Sequence, residues 1–324
     1  MAQHPTQPRI GVSACLLGTP VRFDGGHKNN AYVHSVLARF ATLVPVCPEV
    51  ESGMPVPRES LRLVERGGGG GVALLGNRSG ADRSDQLRAW GRGRVEELAR
   101  LDLDGFILKK DSPSCGLERV RVYPAEGDRP PARTGTGLFA ALLRERLPAL
   151  PLAEEGWLQD AGLRECFLDR VFTRHRMREA LLPAPSRSGL VAFHTDHKLL
   201  YLAHSPARYR ELGRLVAQAA EVPVADAVER YAAKAMAALG ERATPGKHAN
   251  VLQHVLGYFK GVLSAFEKQE LLSLVEEYRA GLQVRSVPLT LLVHHLRKHE
   301  LGGWLSRQRY FDPYPRALGP AAGA

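Results

Sequence analysis

Three apolar runs in the first 115 residues each lead to a cysteine, and this recurrence constrains the fold more than any other feature of the chain. Arg9-Ile10-Gly11-Val12-Ser13-Ala14-Cys15 and Leu43-Val44-Pro45-Val46-Cys47 read as short strands ending in a thiol. Gly105-Phe106-Ile107-Leu108 reads as a third strand, followed by Lys109-Lys110-Asp111-Ser112-Pro113-Ser114-Cys115-Gly116, which turns sharply at Ser-Pro. In an open α/β sheet, ligands bind beyond the carboxyl ends of parallel strands. Three cysteines at three such ends are expected to converge there and form one metal-binding site.

The intervening chain supports an α/β unit with a mostly parallel sheet. Asn30 to Phe40 is expected to be a helix, with Val33, Val36, Leu37 and Phe40 on one face. Leu61 to Val64 and Val72 to Leu75 are predicted strands flanking Gly67–Gly71, read as a hairpin tip. No Gly-Lys-Ser/Thr follows those glycines, so they are not a phosphate loop. Ser84 to Leu101 reads as a helix with Leu87, Val95 and Leu98 inward, and Leu138 to Leu147 as another, stopped by Pro148.

From Leu163 onward strand signals fade and helix starts become clear. Leu163 to Leu182 is a predicted connecting helix, and Gly189 to His204 the next. Ser205-Pro206 and Thr244-Pro245 pair an N-cap with proline at the first helical position. They open helices expected over Ala207 to Ala220 and from Pro245 to Phe266. Helices from Pro223 to Leu239, Lys268 to Ala280 and Pro288 to Glu300 complete an all-α domain, with an aromatic tail, Arg307 to Pro315, packing back. The expected organisation is a catalytic domain over 1–158, a linker helix over 159–187 and a helical domain over 188–324.

Cysteine usage bears on the metal. Four cysteines in 324 residues are no disulfide framework, and the expected location is the cytoplasm, where thiols stay reduced. Cys166 lies in an amphipathic helix and reads as a small buried side chain. The other three leave three readings open: separate core residues, a zinc site completed by His27, or an iron–sulfur cluster. Zinc sites usually show local Cys-x-x-Cys pairs, which are absent here. A 4Fe–4S cluster usually takes four thiolates, so three leave one iron open as a Lewis acid with affinity for soft sulfur. Glu49, two residues past Cys47, reads as a base or a surface ion-pair member. Ser112, three residues before Cys115, reads as a substrate hydrogen-bonder or a turn cap. Asp24 either bonds a substrate NH or stabilises its Asp-Gly turn.

The formal net charge is +10, and no apolar run approaches the length of a membrane span. A basic chain favours anionic partners such as nucleic acid. Of the 44 basic residues 35 are Arg, a bias that base composition of the coding DNA can also produce, so charge alone does not select RNA. Asn250, His254, Gly257 and Gly261 recur at helical spacing, and close helix packing is the expectation for the glycines. His295 and His299 are four apart but no carboxylate motif accompanies them, so a polar helix face is expected. His194 and His197 read as polar packing or RNA contacts.

The motifs Ser13-Ala14-Cys15-Leu16-Leu17-Gly18, Val21-Arg22-Phe23-Asp24-Gly25, Cys47-Pro48-Glu49 and Ser112-Pro113-Ser114-Cys115-Gly116 resemble the thiouracil desulfidase family over about residues 9–157. Phe193-His194-Thr195-Asp196-His197-Lys198, Leu202-Ala203-His204-Ser205-Pro206, Lys247 to Phe259 and Pro313-Tyr314-Pro315 resemble the helical domain often fused to it. The resemblance implies a 4Fe–4S cluster on Cys15, Cys47 and Cys115, with Glu49 and Ser112 catalytic and Asp24 a further carry-over. It also implies tRNA carrying 4-thiouridine as substrate, uridine and hydrosulfide as products, and non-redox hydrolysis as the reaction. Lys198, Arg208, Arg214, Lys247 and Lys260 are the candidate phosphate contacts, against the alternative of solvated helix faces. Two other readings stand beside it: a desulfidase of free thiolated bases, and a non-catalytic RNA-binding protein with a structural metal.

Overall fold

The computed structural model describes residues 6–67, 70–127 and 129–319, so the centre of the Gly67–Gly71 tip lies outside the described residues. The chain divides into two compact units, Met1–Asp160 and Ala161–Ala324.

The first unit carries strands β1 (Arg9–Ser13), β2 (Thr42–Val46), β3 (Leu61–Glu65), β4 (Val72–Gly76), β5 (Gly105–Leu108), β6 (Val120–Tyr123), β7 (Ala132–Gly135) and β8 (Leu152–Glu154). Its helices are α1 (Pro48–Glu51), α2 (Ser84–Arg100) and α3 (Leu138–Arg146). One sheet has the order β2-β1-β5-β8 and is parallel throughout. Ile10 pairs with Leu43 on one side and with Gly105 on the other, so β1 is flanked by the two other strands that lead to cysteines. All four residues of β5 are buried, as expected for a parallel strand covered on both faces. The second sheet, β4-β3-β6-β7, contains the expected β3–β4 hairpin and is mixed rather than parallel.

Packing explains two local choices. A Cβ on Gly11 would lie 2.2 Å from the Phe106 ring, so glycine there lets Phe106 lie flat against β1. Phe106 meets Phe139 of α3 edge-on at 5.9 Å, while Leu87, Val95 and Leu98 of α2 are buried as the helical period predicts. Burial of such side chains contributes roughly 1.5–3 kcal/mol each.

The expected helix over Asn30 to Phe40 is corrected. That segment forms a π-turn, Tyr32–Val36, followed by a 3₁₀ turn, Leu37–Arg39. The Leu37 amide reaches the carbonyls of both Tyr32 and Val33. The wider turn rotates the register so that Val33 and Leu37 are buried while Val36 and Phe40 are only partly covered.

The second unit is all helical among its described residues: α4 (Ala161–Ala180), α5 (Arg187–His204), α6 (Pro206–Ala217), α7 (Val224–Leu239), α8 (Pro245–Leu256), α9 (Ala265–Arg279) and α10 (Ser286–Lys298). Ser205 and Thr244 cap as expected, accepting from the amides of Arg208 and Lys247. The aromatic tail packs back, with Tyr310 and Tyr314 buried. The helix expected to run from Pro245 to Phe266 is corrected: it stops at Leu256. Gly261 turns the chain at φ 80°, and Ser264 with Glu267 forms a capping box that starts α9. A Cβ on Gly257 or Gly261 would meet nothing within 4 Å, so these glycines do not serve close helix packing.

α4 and α5 are tied by a buried ion pair, His204 Nε2 to Asp169 Oδ2 at 3.0 Å. Burial alone would pull His204 down, but the Asp169 hydrogen bond and the nearby Cys166 thiol prevail and raise it from 6.5 to about 10. A histidine raised on folding stabilises fully below its unfolded value and loses that contribution as pH rises through the folded one. The folded state should therefore weaken between about pH 6.5 and 10, by an amount on the order of a few kcal/mol. Urea unfolding at the two pH values checks this. The His204→Gln/Asp169→Asn double variant should lack most of the slope.

Candidate active site at the parallel strand ends

The three thiols gather as the strand order dictates. Cys15 follows β1 in a 3₁₀ turn, Cys47 sits at the end of β2 as the N-cap residue of α1, and Cys115 lies in the turn beyond β5. All three are free cysteines and line one cavity of about 390 Å³. Cys15 and Cys115 are buried and Cys47 is partly so. Burial pushes the Cys15 thiol up to about 11, and neighbouring Cys47 adds to the rise. Burial also raises Cys47 and drives Cys115 well above 9, where a hydrogen bond with Ser13 opposes the effect and the other two thiols reinforce it.

The turn bearing Cys115 is held from several sides. Ser112 Oγ accepts from the amides of Ser114 (3.2 Å) and Cys115 (3.1 Å), which is the turn-cap role, while its own hydroxyl proton remains available as a donor. The first amides of α3 reach back to this turn, with Leu138 N on Pro113 O at 3.1 Å and Phe139 N on Ser114 O at 2.9 Å. Gly137 makes that approach feasible, since a Cβ would stand 2.6 Å from the Ser114 carbonyl. From β8, Glu154 accepts from the Leu117 amide at 2.8 Å, and Glu155 holds the Lys110 amide at 2.6 Å and the Lys109 ammonium.

Glu49 lines the cavity in a fixed pose. Its Oε2 accepts from Arg58 Nε at 2.8 Å and also from Arg58 Nη2, and its Oε1 accepts from Ser114 Oγ at 2.9 Å. Arg58 also donates to the carbonyls of Val21 and Pro55, so one guanidinium joins the loops that follow β1 and β2. Each carboxylate oxygen accepts about two hydrogen bonds, so Glu49 Oε1 keeps a site for a water or substrate proton. Arg58, Ser114 and Ser13 were not singled out by sequence reasoning. Arg58 is one of many arginines, and only the folded loop shows its purpose. Ser13 and Ser114 lie inside the cysteine motifs, and that adjacency was their available signal.

Asp24 stands apart from this set. It bonds the Gly26 amide at 3.0 Å in its own turn, lies 3.6 Å from Arg22, and is not among the residues lining the cavity. The Gly26 bond is a turn-stabilising contact. The cavity wall carries Arg22, Lys28, Arg58, Lys109 and Lys110 against Glu49 and Asp111, a positive balance suited to an anionic ligand.

The donor set fits a cluster. A single tetrahedral zinc ion with bonds of about 2.3 Å would hold thiolates roughly 3.8 Å apart. Among the described residues, the one set of three or more His, Cys, Asp or Glu ligand atoms within 4.8 Å of one another is Glu267, His295 and His299. The three thiols share one cavity but are spread more widely than a single ion requires, and no His ligand joins them, since His27 is absent from the cavity wall. Cys166 lies in the other unit, its thiol on the Leu239 carbonyl at 3.1 Å.

The candidate phosphate contacts have varied surroundings. Lys198 Nζ sits 3.3 Å over the Trp304 ring, Arg208 pairs with Glu241 at 2.8 Å, and Lys247 caps the carbonyls of His204 and Arg242. Arg214 and Lys260 are exposed. His197 is packed polar core, accepting from Arg176 at 3.0 Å, and His194 Nδ1 lies 3.2 Å from Tyr231 Oη.

A parallel sheet thus brings buried thiols, a clamped carboxylate and hydroxyls to adjoining strand ends, a donor set suited to a metal–thiolate centre. Residues 10–155 match the model of the 2-thiouracil desulfurase family, and residues 198–315 match a second model, a protein of unknown function, DUF1722. Residues 10–155 thus carry a domain of the 2-thiouracil desulfurase family, a family named for removing sulfur from a thiolated base. It is 35% identical to the uncharacterized protein YbgA of Escherichia coli K12 over 152 residues, which is 47% of this chain and 89% of YbgA. It is 29% identical to the uncharacterized protein YbbK of Bacillus subtilis 168 over 141 residues, 42% of this chain and 89% of YbbK. A solved structure of TudS, a 4Fe–4S-dependent thiouracil desulfidase, is 29% identical, with 48% of this chain and 95% of that one covered and a TM-score of 0.38.

Proposed function

We propose that this protein removes sulfur from 4-thiouridine in tRNA, giving uridine and hydrosulfide by hydrolysis, with a 4Fe–4S cluster held by Cys15, Cys47 and Cys115. The observation that carries the reading is the meeting of three thiols and the Glu49 carboxylate on one cavity. When bound, the cluster supplies an iron without a cysteine ligand, a soft Lewis acid for a thiocarbonyl sulfur.

The chain's own residues do the rest. Glu49 Oε1 orients a water and takes its proton as the oxygen attacks the carbon that bears sulfur. Arg58 and Ser114 lock the carboxylate so that little reorganisation is needed during attack. The Ser112 hydroxyl donates to the base edge. The carbon–oxygen bond forms, the carbon–sulfur bond breaks, and the proton held by Glu49 leaves with the products. One water is consumed and no net electrons move. Arg22, Lys28 and Lys110 at the cavity attract the phosphate backbone, and the second unit supplies further RNA contacts, with Arg214 and Lys260 the exposed candidates. The thiolated base must leave its stack to reach the thiols. This reading puts the protein in the cytoplasm, where thiols remain reduced.

Anaerobic incubation of cluster-loaded protein with bulk tRNA, followed by nucleoside mass spectrometry, tests it. The expected result is loss of 4-thiouridine with an equal gain of uridine, slowing steeply as salt is raised. Consumption of free 2-thiouracil with tRNA thiouridine left intact would replace this reading with a free-base desulfidase.

A further inference from the structure

The two histidines one turn apart at the end of α10, His295 and the C-cap residue His299, acquire a partner that the sequence hid. Glu267, in the first turn of α9, faces them across the helix pair, and one ligand atom from each of Glu267, His295 and His299 lies within 4.8 Å of the other two. We propose that Glu267, His295 and His299 form a second metal site, taking a divalent transition ion of the zinc class and clipping α9 to α10.

Two nitrogens point to a missing ligand. His295 is 4% exposed, yet its Nδ1 makes no hydrogen bond, and the buried Nε2 of His299 makes none either. A buried polar atom without a partner costs about 1–3 kcal/mol, so such atoms normally have one. Glu267 Oε1 is 3.9 Å from His295 Nδ1, too long for a hydrogen bond but on the scale of two ligands around one ion. The His295 and His299 rings lie side by side one helical turn apart, with centroids 5.9 Å from each other.

Two histidines and one carboxylate are a donor set zinc uses when a fourth position stays open for water. Bonds of about 2.0–2.1 Å would draw the ligand atoms closer than they stand, which rotation of the partly exposed Glu267 and His299 side chains toward the buried His295 supplies. The other contacts of Glu267 are Lys298 Nζ on Oε1 at 2.7 Å and, on Oε2, the amide and hydroxyl of Ser264, each at 2.9 Å. The capping box can remain, whereas Lys298 occupies the oxygen an ion would take. Lys298 is about half exposed and free to swing away, so it acts as a competitor for the cation.

The test uses the full-length, cluster-loaded protein, equilibrated with micromolar zinc and assayed for zinc separately from iron. One zinc per chain is expected, with cobalt giving ligand-field bands free of thiolate charge transfer. His295→Ala/His299→Ala should lose the zinc. Glu267→Gln, which keeps the capping-box acceptor if the double variant misfolds, should bind at least about tenfold more weakly. Lys298→Met should bind several-fold more tightly. Zinc uptake unchanged in the Glu267 and histidine variants, no uptake by the parent protein, or cobalt spectra dominated by thiolate would overturn the proposal. None of these readouts depends on desulfidation, so the two readings stand or fall separately.

Discussion

Replacing Glu49 by glutamine should leave the cluster and its brown colour intact and lower turnover by about 10²–10⁴-fold. Glutamine keeps the shape of the side chain and, through its amide oxygen, an acceptor for Arg58, but it removes the group that takes a proton from water. Alanine is the less informative change. Arg58 is 6% exposed and its charge is paired with Glu49, so truncation strands a buried guanidinium at a cost of about 3–5 kcal/mol and loosens the loops it joins. Both variants should lose rate and thermal stability, Glu49→Ala more of the latter, because glutamine removes the counter-charge of Arg58 but keeps a hydrogen-bond acceptor for it. Single-turnover kinetics on protein of equal iron content separates the two effects. Parent-like turnover in Glu49→Gln would remove Glu49 as the base.

The strand-end logic that places Glu49 was legible in the sequence because it rests on a short-range signal. Each apolar run is four or five residues long, a cysteine follows each by one to seven residues, and β1 lies between β2 and β5. The caps at Ser205 and Thr244 were equally local and equally visible. What was hidden depends on distant partners. β6, β7 and β8 are three or four residues long, and β7, Ala-Arg-Thr-Gly, has no apolar face, so no periodicity marks it. Arg58 acquires meaning only when its loop folds against Glu49 and Val21. Asp24 was legible as a substrate contact or as the stabiliser of its Asp-Gly turn, and its bond from the Gly26 amide is the turn contact. Glu267 lies in a different helix from His295, so no spacing rule reveals their meeting. Gly257 and Gly261 matched a helical period, but the positive φ at Gly261 shows a chain-turning role that composition alone does not distinguish from packing.

Removing any one of the three strand-end thiols should abolish turnover, because two cysteines leave a cluster without the support its cavity is built to give. Cys15→Ala, Cys47→Ala and Cys115→Ala should each lose the iron. Cys47 is the most accessible of the three, so its truncation disturbs packing least and isolates the loss of a ligand. Cys115 is buried and hydrogen-bonded to Ser13, so its variant should also lose stability. Cys166→Ala should retain iron and activity, since its thiol serves the Leu239 carbonyl in the other unit.

Iron and acid-labile sulfide counted per chain, after anaerobic purification of the parent protein and these four variants, test the central claim most directly. The account predicts about four of each in the parent and in Cys166→Ala, and close to none in the other three. A full complement of iron surviving in Cys15→Ala, Cys47→Ala or Cys115→Ala, or one zinc in place of iron at these thiols, would contradict it.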